Sequence, residues 1–187
     1  MQKTTQRYEA LDVLRGLTII IMALDHSRDF FSLGFIYFAP TDLALTNIEV
    51  FFTRWITHFA APTFMFLAGI GLFFASQRRT KRELATLAIS RGFWLIFLEL
   101  TLVGFFWSFS TDFVYAPKIA VLFALGISMI FMGLLIFLPK NIIAFIALSM
   151  IFGHNTLDNI PANRLVTMQD FGILFMLMVV FILGVLR

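Results

Sequence analysis

The chain has 187 residues, 60% hydrophobic and 13% charged, with a mean hydropathy of +0.91. A soluble domain of this length cannot bury so much apolar side chain, so the composition points to a polytopic membrane protein. The formal net charge of +3 is concentrated in one basic loop, which membrane topology explains better than a nucleic-acid partner. The absence of cysteine excludes a disulfide framework, a thiolate metal site and a thiol nucleophile.

Residues 1–10 read as a polar tail carrying Lys3 and Arg7. Residues 11–31 form the first predicted span. Residues 32–49 are a loop in which Thr41-Asp42 is the expected start of a short helix, and Phe35, Tyr37 and Phe38 suit an interface. The second predicted span, 50–76, is long enough to cross with tilt and contains Pro62, a candidate kink. Residues 77–90 form a basic loop, followed by a third span over 91–109 and a short loop over 110–118. A fourth span over 119–138 ends at Pro139, and a tight turn leads to a fifth over 142–153. The polar loop 154–170 precedes a sixth span over 171–186.

These segments predict an all-α fold, a polytopic transmembrane helix bundle of about six spans. Arg78, Arg79, Lys81, Arg82 and Lys140 fall on the same side as the tail, which makes the N-terminus cytoplasmic. The chain stops at Arg187 directly after an apolar segment, so the expectation is a single domain over 1–187, truncated at the C-terminus and part of a longer bundle.

The first span carries more charge than an anchor requires. A charge at bilayer depth costs about 2.5–3.5 kcal/mol on insertion scales and usually faces a protein interior or a wet cavity. At about 100° per residue, Arg15 and His26 lie within about 20° of each other, and about 16 Å apart along the axis. Asp12 and Asp29 share that stripe, three residues before Arg15 and three after His26. Asp25 lies about 80° away from Arg15, at the stripe's edge. Asp12 and Arg15 read equally well as an interfacial ion pair or as functional groups, and residues 25–29 read alternatively as the start of a loop.

In the second span, Arg54 and His58 are four apart and lie on one face, with Pro62 continuing the row. Pro62 frees a carbonyl near His58, so a polar pocket and a merely hydrogen-bonded kink are both consistent with the pattern. Glu99 sits mid-span in the third segment with no charge partner on its own helix. It must be protonated or paired, and Arg15, Arg54, His26 and His58 are the candidate partners. His154 reads as a solvated loop residue. No histidines are paired at metal-ligand spacing on one helix, so no metal is expected.

The segment LDVLRGLTIIIMALDHSRDF resembles the bacterial membrane proteins related to the heparan-alpha-glucosaminide N-acetyltransferase catalytic domain, and the wider acyltransferase-3 group has a similar first span. THFAAPTFMFLAGIGL resembles the next block of that family, and looser likeness continues through ISRGFWLIFLEL and APKIAVLFALGISMIFMGLLIF, over roughly the first 140 residues. The resemblance implies an integral membrane acyltransferase, in a bacterial plasma membrane, that moves acetyl from cytoplasmic acetyl-CoA to a sugar or glycan acceptor. It implies a catalytic histidine, His26 by the Arg-to-His spacing, with His58 as the fallback. Asp29 is then the group that orients the His26 ring. Arg15, with Asp12, belongs at the acetyl-CoA end, and Arg54, Glu99 and Asp25 are buried polar support.

Expected partners are lipids, the acyl donor, the acceptor and, as an option, a second copy of the chain; nucleic acid is not among them. Two other readings compete. One is a transporter or channel subunit with a polar path through Asp12, Arg15, Asp25, His26 and Glu99; the other is a non-catalytic membrane remnant. No internal repeat of the transporter kind is evident.

Overall fold

A computed structural model of the chain describes residues 9–31, 42, 44–109 and 120–153. All regular structure among them is helical. Helix α1 spans Glu9–Phe31, α2 Ile48–Thr57 and α3 Ala60–Ser76. Helix α4 spans Lys81–Leu98, and a π-helical turn at Glu99–Val103 joins it to α5, Gly104–Ser108. Helices α6, Val121–Leu135, and α7, Lys140–Gly153, follow. The expected loop 110–118, His154 with its loop and the sixth span lie outside the described residues.

Several boundaries differ from the sequence reading, each for a local reason. Helix α1 continues through residues 25–29, so these do not open a loop. Asp42 opens a turn rather than a helix: its carboxylate accepts from the Ala44 N–H at 3.0 Å and its carbonyl from the Thr46 N–H at 2.9 Å. The cap of α2 is Asn47, whose side chain accepts from the Val50 N–H at 2.8 Å. The segment expected as a basic loop becomes helical from Lys81. Thr80 and Glu83 form a reciprocal capping box: the Thr80 N–H donates to the Glu83 carboxylate at 2.9 Å, and the Glu83 N–H to the Thr80 hydroxyl at 3.3 Å. Such a box satisfies two donors that a helix start otherwise leaves open.

The second expected span is two helices. Helix α2 ends at Thr57 and α3 begins at Ala60. Proline at position 62 has no N–H to give the His58 carbonyl, and the chain turns at His58 and Phe59. The break therefore falls one turn before the proline.

The chain divides into two compact units, Met1–Leu67 and Ala68–Arg187. In the first, α1 packs on α2. In the second, α4 and α6 form the main helix pair, around a core of Leu72, Leu84, Ala88, Met129, Met132, Ile136, Ile143 and Ala147.

Two glycines set the spacing of the α4–α6 pair. A Cβ built on Gly92 would lie 2.6 Å from the Gly126 carbonyl, and one on Gly126 would lie 2.7 Å from the Gly92 carbonyl. The backbones touch there because neither residue has a side chain, the small-residue packing that suits apolar helices. Two turns along, Gly133 of α6 faces the Ala85 carbonyl and Ile89 of α4, so the pair runs antiparallel. Large apolar side chains remain outside, among them Phe93, Phe97, Phe106, Phe131 and Phe145. Two helical stretches, Ile48–Ser76 with its turn at His58 and Phe59, and Lys81–Trp107, are long and apolar enough to cross a membrane by length and composition.

Candidate functional site

The polar centre of the first unit is Asp25. Its Oδ1 accepts the Thr57 hydroxyl at 2.6 Å and Arg28 NH2 at 2.6 Å, while Arg54 NH1 lies 3.5 Å from Oδ1 and 3.4 Å from Oδ2. Arg28 reaches Asp25 from one turn along the same helix, as an i,i+3 pair does. Thr57 and Arg54 come from α2. One carboxylate thus ties the two helices together, most closely through the Thr57 hydroxyl at 2.6 Å; a hydrogen bond to an ionised acceptor is shorter and stronger than a neutral one. The Arg28 side chain is 7% exposed, that of Asp25 18% and that of Arg54 37%.

This rotates the expected functional face of α1. Its inward stripe runs through Thr18, Met22, Asp25 and Arg28, with Thr18 buried and its hydroxyl donating to the Leu14 carbonyl at 2.7 Å. Asp25, expected at the edge, is on the packed stripe, and His26, an exposed residue, follows it in sequence. His58 is also exposed; it caps α2, its backbone N–H donating to the Arg54 carbonyl at 3.0 Å. Each histidine therefore neighbours the Asp25 joint, His26 as the next residue of α1 and His58 as the residue after Thr57. The side chain of Asp29, the expected partner of the His26 ring, lies outside what the structure describes.

At the other end of α1, Arg15 NH1 meets Asp12 Oδ1 at 3.3 Å, with both side chains well exposed. That is the intrahelical ion pair anticipated as one of two readings. Among the described residues, no three metal-ligating side chains converge.

Glu99 behaves differently. It is 1% exposed, and neither carboxylate oxygen completes a hydrogen bond of standard geometry. None of the four cations expected as partners belongs to its unit. Its carboxylate instead faces the amino end of α6, towards the backbone N–H groups of Ala120, Leu122 and Phe123. The antiparallel register places it there: Glu99, in the π-helical turn after α4, lies about two turns beyond Gly92, and the start of α6 lies about one and a half turns from Gly126. The first amides of a helix lack intrahelical acceptors and carry partial positive charge, and Ala120 offers α6 no side-chain cap. The sequence signal for this pairing was weak, because helix ends are not charged residues and do not enter a search for ion pairs.

Among the described residues this is an all-helical protein with two stretches long and apolar enough to cross a membrane, whose ionisable groups meet at helix–helix joints. Over residues 7–180 the chain matches the family model described as heparan-alpha-glucosaminide N-acetyltransferase, catalytic. It belongs to that family, which makes it acetyltransferase-like. The match extends past the first 140 residues, where the motif likeness ended. No curated protein and no solved structure matches the chain.

Proposed function

We propose that this protein is an integral membrane acetyltransferase that moves an acetyl group from acetyl-CoA to a hydroxyl or amine of a sugar-like acceptor. The observation that carries the reading is the Asp25 joint, which holds α1 to α2 through residues that two exposed histidines directly follow in sequence, in a chain of this family. His26 is the proposed general base. Its imidazole nitrogen takes the proton of the acceptor O–H or N–H, the acceptor attacks the thioester carbonyl, and the C–S bond breaks. The imidazolium then returns the proton to the leaving thiolate, so the histidine is regenerated.

In this reading Asp25 is a positioning residue: by joining α1 to α2 it fixes the backbone that carries His26. Arg15, with its Asp12 partner, is proposed for the donor's phosphates at the far end of α1, as a guanidinium suits. The test is acetyl transfer from labelled acetyl-CoA by the purified full chain. His26→Ala should lower transfer at least ~10²-fold with unchanged acetyl-CoA binding, and His58→Ala should lower it less. Full activity in His26→Ala together with loss in His58→Ala moves the acyl-transfer centre to the end of α2. Absence of transfer from the unaltered chain defeats the enzymatic reading.

A further inference from the structure

Arg54 is poorly explained as a structural partner of Asp25. Oδ1 already takes two short bonds, from Thr57 and Arg28 at 2.6 Å each. Arg54 approaches only to 3.4 and 3.5 Å, well outside the roughly 2.7–2.9 Å of a charge-assisted N–H···O bond. Only its NH1 engages the carboxylate, and the side chain is 37% exposed. A guanidinium carries five N–H donors in a planar fork that matches the two oxygens of a phosphate or carboxylate. In sequence, His26 follows Asp25 on α1, and His58, the C-cap of α2, follows Arg54 by four residues.

We propose that Arg54 is the ligand-reading arm of an oxyanion site at the α1–α2 joint. In the free protein its guanidinium rests loosely on Asp25, and an incoming phosphate or carboxylate takes it over. Asp25 keeps its Thr57 and Arg28 bonds through this exchange, so the joint stays closed while the arm changes partner. The site is a matter of binding and needs no turnover. Its place beside the histidines rests on the acyl-transfer reading, in which the oxyanion belongs either to the donor's phosphates or to an acidic group on the acceptor.

Trp55, next to Arg54 in sequence and edge-on to Phe59 at 5.6 Å, supplies the readout. In the full chain carrying Trp94→Phe and Trp107→Phe, it is the sole tryptophan. Its fluorescence is titrated with inorganic phosphate in maltoside micelles, which contain no phosphate. A saturable response is expected, with the apparent Kd raised at least about tenfold by Arg54→Gln and less by Arg54→Lys, which keeps the charge but loses the fork. An unaltered chain with no saturable response, or an Arg54→Gln chain that titrates like it, overturns the proposal.

Turnover then separates the two sources. With acetyl-CoA, glucosamine and glucosamine 6-phosphate as substrates, a KM for acetyl-CoA raised by Arg54→Gln assigns the site to the donor. Loss of a preference for the phosphorylated sugar assigns it to the acceptor, and movement of neither overturns a substrate role. A chain that binds phosphate through Arg54 yet transfers no acetyl keeps the site and loses the acyl-transfer reading.

Discussion

Asp25 and Glu99 are both carboxylates on apolar helices, and the two units treat them in opposite ways. Asp25 receives a hydroxyl and two guanidiniums, from its own helix and from α2. Glu99 is more deeply buried and, among the described residues, faces the open amides at the start of α6 with no completed hydrogen bond. The first joint is held by an ionised carboxylate that takes the Thr57 hydroxyl of the facing helix, the second by backbone contact at Gly92 and Gly126. Burial therefore does not by itself mark an energetically dominant carboxylate. A buried charge contributes to stability through its partners, because removing it from water costs several kcal/mol that only good geometry offsets.

The largest effect that sharpens this contrast should come from Asp25→Ala. It leaves Arg28 and Arg54 without the carboxylate they share, and breaking one side of a buried pair costs about 3–5 kcal/mol. Thermal unfolding in detergent should show the loss. A change below about 1 kcal/mol, no more than an exposed surface pair contributes, would mean that α1 and α2 are held by apolar contacts alone.

Next comes Gly92→Ala. The added methyl would sit 2.6 Å from the Gly126 carbonyl, so α4 and α6 must separate, at a cost of about 1–3 kcal/mol. Unchanged stability would break the case for backbone packing in the second unit.

Glu99→Gln should cost less than about 1 kcal/mol, because neither oxygen of the carboxyl group it replaces makes a well-formed hydrogen bond. A loss as large as that of Asp25→Ala would show that Glu99 and the α6 amides act as a strong charged cap, and would erase the contrast. The smallest effect is expected for Asp12→Asn. The Asp12–Arg15 pair is exposed on both sides, and such pairs contribute about 0.2–1 kcal/mol. The unfolding midpoint should hardly move, and the little that is lost should vanish in high salt.

The sequence by itself determined where helices form, because that information is local. Apolar runs located the helical stretches, Pro139 preceded α7, and the i,i+3 spacing of Asp12 and Arg15 became the observed pair. The Thr80–Glu83 box was equally local and legible: a threonine followed three residues later by a glutamate marks a helix start, yet the basic residues around it suggested a loop. Family membership was likewise readable from the first two motif blocks.

What only the tertiary structure decided was which face of each helix looks inward and what it meets there. Angles along α1 placed His26 and Arg15 on one stripe but could not say that the packed side runs through Thr18 and Asp25. That depends on α2, whose Thr57 and Arg54 lie about thirty residues away in sequence. The partner of Glu99 was out of reach for a second reason. It is a set of backbone amides made available by the end of another helix, and the register that brings them near is set by two glycines in contact. Periodicity fixes directions around one axis; the rotation and offset between two axes come from packing, where a missing Cβ on each helix decides how closely they approach.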